Sequence, residues 1–83
     1  MSEPDAGRAR LEVFVEPFEE ANPGPHVTAA VDAIAAVGLA ADLGALATTA
    51  EGSVEQVVEA AAAMLRASFE QGASAVQLRI ERG

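Results

Sequence analysis

An α+β sandwich is the fold class this sequence predicts, and three observations predict it. Two segments alternate apolar and polar residues with the period of a half-buried strand. Near the start, Leu11, Val13 and Val15 alternate with Glu12, Phe14 and Glu16; near the end, Val76, Leu78 and Ile80 alternate with Gln77, Arg79 and Glu81. Two segments between them repeat apolar residues at helical spacing. Each helical segment stops at a glycine and is followed by an extended stretch, so a strand–helix–strand pattern occurs twice. The full order of strand, helix, strand, strand, helix, strand predicts a ferredoxin-like βαββαβ sandwich: a four-stranded antiparallel sheet with two helices on one face.

Taken in order, residues 1–8 show no apolar periodicity and read as a disordered N-terminal tail, with residues 9–83 as a single domain. Pro17 ends the first strand, and Phe18 to Pro25 is a loop containing the breaker cluster Asn22-Pro23-Gly24-Pro25. Pro25 suits a first helical turn, Val27, Ala30, Val31, Ile34 and Val37 form the apolar stripe, and Gly38 is the left-handed stop before Leu39. Between Ala40 and Gly52 there is room for two short strands, with a turn at Gly44-Ala45 flanked by Leu43 and Leu46. Ser53 and Gln56 make a capping box for the second helix, whose stripe is Val54, Val57, Val58, Ala61, Leu65 and Ser68 or Phe69, with Phe69 read as core. Gly72 stops this helix before the last strand. The first and last strands are expected to be central neighbours, with the second strand at an edge. Glu12, Phe14, Glu16, Gln77, Arg79 and Glu81 then share the helix-free face, where Arg79 is expected to pair across the sheet with a glutamate and Phe14 to pack on another subunit.

Composition narrows the function classes. Apolar residues make up 51% of the 83, but 20 of them are alanine and only 22 are Val, Leu, Ile, Phe or Met. So thin a core in so short a chain favours an oligomer. Without cysteine there is no disulfide, thiolate metal site or cysteine nucleophile. A net charge of −8 with five basic residues argues against nucleic acid. No segment has the apolar length of a membrane span, and the first residues do not form a signal peptide, so a cytoplasmic protein is expected. No nucleophile elbow, phosphate-binding glycine loop or defensible catalytic triad is present, the Glu19-Glu20 pair reads as a solvated loop, and the one histidine, His26, has no companions for a metal site.

The polar equipment concentrates in Thr48-Thr49-Ala50-Glu51-Gly52, two hydroxyls and a carboxylate at the end of a short strand running into the Ser53-capped helix. A small polar ligand is expected to touch this segment. A purely structural account is also open: Gly52 serves the strand-to-helix turn and Glu51 the positive end of the helix dipole.

The chain resembles the thiamine-binding protein family. The residues that carry the resemblance are the strand ending in Pro17, the Gly38-Leu39 pair, and the stretch from Asp42 to Gly52, in which Thr48, Glu51 and Gly52 match a Thr-x-x-Glu-Gly signature before a helix. The similarity covers roughly residues 10–82. It departs at His26 and Thr28, where family members often carry serines, and at Ala75 and Leu78, near an arginine and a threonine of the family pattern. The resemblance implies a ferredoxin-like fold, association through sheets into dimers or tetramers, and binding of thiamine or its hydroxymethylpyrimidine part with no known reaction. Together with the composition, the expectation is a non-enzymatic binder with no cofactor, metal, nucleic acid or membrane partner. A site for that ligand needs a carboxylate or amide edge for the aminopyrimidine, an apolar wall, and negative potential for the thiazolium cation. Glu51 is the candidate for the amine or the cation, and Thr48 or Thr49 for the ring nitrogens, one from each face of the strand. Phe14, Phe18 or Leu46 supplies the wall, and His26 takes the place of a helix-start serine. The alternative is a structural or interaction module that keeps the family's oligomer and has lost the pocket.

Overall fold

The computed structural model describes residues 7–17, 24–44 and 47–83. Phe18, the Glu19-Glu20 pair, Ala45 and Leu46 lie outside the described residues, as do residues 1–6 of the expected tail. The chain runs β1 (Arg8–Glu16), α1 (Pro25–Ala36), β2 (Asp42–Leu43), β3 (Thr48–Ser53), α2 (Val54–Glu70) and β4 (Ala75–Arg82). This is the ferredoxin-like βαββαβ order, with Arg8 already in the first strand.

The four strands form one antiparallel sheet in the order β2-β3-β1-β4. β1 and β4 are neighbours as expected, but β4 is not central. β3 pairs with the other side of β1 along its whole length, from Thr48 opposite Val13 to Ser53 opposite Arg8, and so takes the second central position. Among the described residues, β4 is left with one partner and an open edge, like β2 on the far side.

Alternation along β1 sets the layers. Ala9, Leu11, Val13 and Val15 are buried beneath the helices together with Ala50 of β3. From above, α1 contributes Val27, Ala30 and Ile34, and α2 contributes Val57, Ala60, Ala61 and Met64. Alanine at the contact positions of both helices lets their backbones approach closely, and the two helices pack extensively on each other. Ser68 is also buried, its Oγ donating to the Met64 carbonyl at 2.6 Å so that no polar atom is stranded.

The helix boundaries follow local chemistry. Pro25 occupies the first turn of α1 and Gly38 takes φ +103° just past its end. At α2, the Gln56 amide donates to Ser53 Oγ at 3.1 Å while the Ser53 amide donates to Gln56 Oε1 at 3.1 Å, a complete capping box. Gly72 closes α2 at φ +102°.

The apolar stripe of α2 is narrower than its sequence predicts. Phe69 is 51% exposed and Val58 53%, so neither is core. The stripe centred on Val57, Ala60, Ala61, Met64 and Ser68 leaves them about 100° round the helix, off the buried line. On β4, Leu78 and Ile80 stand opposite buried Val13 and Leu11, on the helix-facing side, yet remain 38% and 39% exposed. The helix layer therefore ends before it covers the outer edge of β4.

Candidate functional site on the open sheet face

Strand register lays the polar side chains of the helix-free face out in rows. Glu51 of β3, Arg10 of β1 and Glu81 of β4 form the first. Asp42, Thr49, Glu12 and Arg79 form the second, crossing all four strands. Phe14 stands opposite Gln77 in the third. Because side chains alternate, Thr48 faces the other way: it pairs with Val13 and is 4% exposed within the helix-side core. A ligand on the open face reaches Thr49 and Glu51 but not the Thr48 hydroxyl.

Two separate recesses draw on the residues of this face. One, of about 420 Å³, is lined by Glu12, Phe14, Ala47, Gln77, Leu78 and Arg79. The other, of about 310 Å³, includes Asp42, Thr49 and Glu51 at the β2–β3 side. Phe14 gives the first recess an aromatic surface, Glu12 a carboxylate and Gln77 an amide. The Gln77 Nε2 group donates to Glu16 Oε2 at 3.1 Å, which orients the amide across the β1–β4 pair. Arg79 pairs with Glu81 two residues along its own strand, at 3.2 Å, rather than with Glu12 opposite it. Adjacent same-face side chains on one strand lie about 7 Å apart at the backbone, within reach of a long guanidinium, and this exposed pair leaves the Glu12 carboxylate without an ion-pair partner among the described residues.

The open face therefore brings together three expected site residues, Phe14, Thr49 and Glu51. His26 is held elsewhere: its Nε2 meets the Pro17 carbonyl. A carbonyl only accepts, so Nε2 carries the proton in that contact. Glu12, Gln77 and Arg79 were legible in the sequence as members of this face but not as lining residues; the signal that identifies them is the β1–β4 register, which alternation alone does not supply. Among the described residues, no group of three or more His, Asp or Glu is placed to hold a metal ion, and no helix is long and apolar enough to cross a membrane.

Gly52 has a packing role. A Cβ there would lie 2.5 Å from Leu39 Cδ2 and 3.1 Å from Gln56 Oε1. Its φ is not in the left-handed region, so close approach of the Gly38-Leu39 segment, rather than a turn, calls for glycine. The Gly-Leu pair and the Glu-Gly pair of the sequence pattern thus meet in space at the start of α2.

Solved structures of the same shape are known. A candidate thiamine biosynthesis/salvage protein of Thermotoga maritima is 23% identical, with a TM-score of 0.68 over 92% of this chain and 84% of that one. A hypothetical protein of Methanocaldococcus jannaschii is 17% identical, with a TM-score of 0.69 over 93% and 79%. A domain of unknown function from Bacillus cereus is 23% identical, with a TM-score of 0.56 over 96% and 78%. At these identities the likeness establishes the fold. No curated protein matches the chain at significant similarity. The family model for thiamine-binding proteins matches residues 11–82, which takes in every element from β1 to β4 and both halves of the Gly-Leu/Glu-Gly contact, and on that match the chain belongs to the thiamine-binding protein family.

Proposed function

We propose that this protein binds thiamine, or a related hydroxymethylpyrimidine-type molecule, on the open face of its sheet and carries out no reaction on it. The observation that carries this reading is the 420 Å³ recess in which Phe14 sits beside the Glu12 carboxylate and the Gln77 amide, with Thr49 and Glu51 on the adjoining strand. An aromatic surface beside the Glu12 carboxylate, with the Arg79 charge of the same recess already paired to Glu81, suits a flat, cationic heterocycle: the ring stacks, the cation meets the Glu12 charge, and the exocyclic amine finds an acceptor. The family membership supports the same ligand class.

Calorimetric titration with thiamine, hydroxymethylpyrimidine and a thiazole control tests the proposal. Binding of thiamine or the pyrimidine is expected. No heat from any of the three at millimolar concentration overturns the reading.

A second reading, an oligomeric interaction module, rests on a different observation. Leu78 and Ile80 on the open edge of β4, with Val58 and Phe69 on α2, leave apolar surface uncovered. The occupant we propose is a second copy, β4 against β4 in antiparallel register. With Ile80 on the two-fold axis, Arg79 stands opposite the partner's Glu81 on both sides, so the charges match. Such a pairing is compatible with ligand binding, because it extends the open face rather than covering it. Light scattering on the wild type and on Ile80→Glu distinguishes the cases: a dimer or larger that the substitution reduces to a monomer supports it, and a wild-type monomer contradicts it.

A further inference from the structure

Four of the five basic residues of this acidic protein gather at one end of the β1–β4 pair: Arg8, Arg10, Arg79 and Arg82. Register accounts for the clustering. Arg10 stands opposite Glu81, Ala9 opposite Arg82, and the Gly83 amide donates to the Arg8 carbonyl at 3.1 Å. The Val54 amide donates to the Gly7 carbonyl at 2.7 Å, which ties the start of β1 to the start of α2 and holds Arg8 beside the sheet. Around these residues lies a recess of about 140 Å³, lined by Arg8, Arg10, Glu51, Glu81, Arg82 and neighbouring backbone. At roughly 30 Å³ per water, it is the size of four or five waters, room enough for a phosphate group, and its charged lining rather than its volume sets what it takes.

The charges here are not used internally. Glu81 is engaged by Arg79. Arg8, Arg10 and Arg82 form no ion pair or side-chain hydrogen bond among the described residues. Two guanidiniums, Arg8 and Arg10, therefore flank the recess on the open face, with Glu51 as the one carboxylate not already in an ion pair, while Arg82, opposite buried Ala9, lines it from the strand end; the local balance is positive on a chain of net charge −8. Guanidinium groups bind phosphate oxygens by paired N–H donors. The recess lies at the strand ends, four of its lining residues (Arg8, Arg10, Glu51 and Glu81) share the face of Phe14, and Arg10 is two residues from Glu12 along β1, about 7 Å at strand rise.

We propose that this recess is an anion subsite that takes the phosphate of a phosphomonoester whose cationic ring occupies the Phe14 recess, so that the phosphorylated form of the ligand is preferred. The proposal rests on the binding reading above, and its test separates the two. Thiamine and thiamine monophosphate are titrated into the full chain at low ionic strength. The monophosphate is expected to bind at least about tenfold more tightly, and the advantage to shrink as salt is added. The double variant Arg8→Ala/Arg10→Ala is expected to remove the preference while retaining thiamine binding. Arg66→Ala, which lowers the positive charge at an exposed site on α2, is expected to leave it intact. Equal affinity for the two compounds, or a preference that survives the double variant, overturns the proposal.

Inorganic phosphate forms a separate arm, read by backbone amide NMR shifts. Saturable shifts at residues 8–10 and 81–83 without any response to thiamine would remove the thiamine reading and keep the anion subsite. No response there to either phosphate or the monophosphate overturns the subsite.

Discussion

At Gly52 the backbone of β3 passes so close to the Leu39 side chain that a methyl group fits only if that side chain shifts. Gly52→Ala is expected to cost about 1–3 kcal/mol by overpacking. For a domain of this size that lowers the melting temperature by roughly 4–8 °C per kcal/mol. Thermal unfolding followed by circular dichroism checks it, and an unchanged midpoint would show that Leu39 and the capping glutamine give way freely. Its neighbour Glu51 is exposed and takes no part in the core, so Glu51→Gln is expected to leave the melting temperature within about 1–2 °C while weakening thiamine binding several-fold, as read by calorimetry. These two residues adjoin in the sequence pattern but separate in role, one structural and one open to a ligand. The sequence alone left both accounts available for the pair. The spacing does show that Thr48 and Thr49 point apart, but only the register with Val13 and Glu12 decides that Thr49 is the one on the open face.

The elements themselves were largely readable, because their boundaries depend on local chemistry. Pro25, Gly38, Gly72 and the Ser53–Gln56 pair all do what their residue types predict. Ser53→Ala is expected to lose about 1 kcal/mol of stability by uncapping α2, measurable by urea denaturation, and an unchanged transition midpoint would contradict the capping account. What local chemistry does not carry is extent of cover. Val58 and Phe69 fall within a plausible helical stripe, and Leu78 and Ile80 alternate as a half-buried strand should, yet all four are substantially exposed. Periodicity reports which face an apolar residue shares, but not whether another layer reaches that far. The position of β4 has the same origin. Its pairing with β1 follows from the doubled strand–helix–strand pattern, whereas its place at the edge depends on β3 claiming the other side of β1.

For the whole molecule, a thin core and an uncovered edge go together. Leu11 is fully buried at the centre of the sheet, and Leu11→Ala is expected to cost about 2–5 kcal/mol, a large fraction of the ~4–12 kcal/mol that 83 residues ordinarily supply. Far-UV circular dichroism at 37 °C should then show a substantially unfolded population, and retention of the wild-type melting point would contradict this assignment of the core. The open sheet face stands apart from that stability ledger. Its rows of Glu51, Thr49, Glu12, Phe14 and Gln77 lie outside the core, free to be specified by what they bind. The most direct test of this account is amide chemical-shift mapping of the protein titrated with thiamine. It predicts saturable shifts concentrated at residues 12–14, 49–51 and 77–79, with the core of α1 and α2 quiet. Shifts confined to the helices, or none at millimolar thiamine, would contradict it.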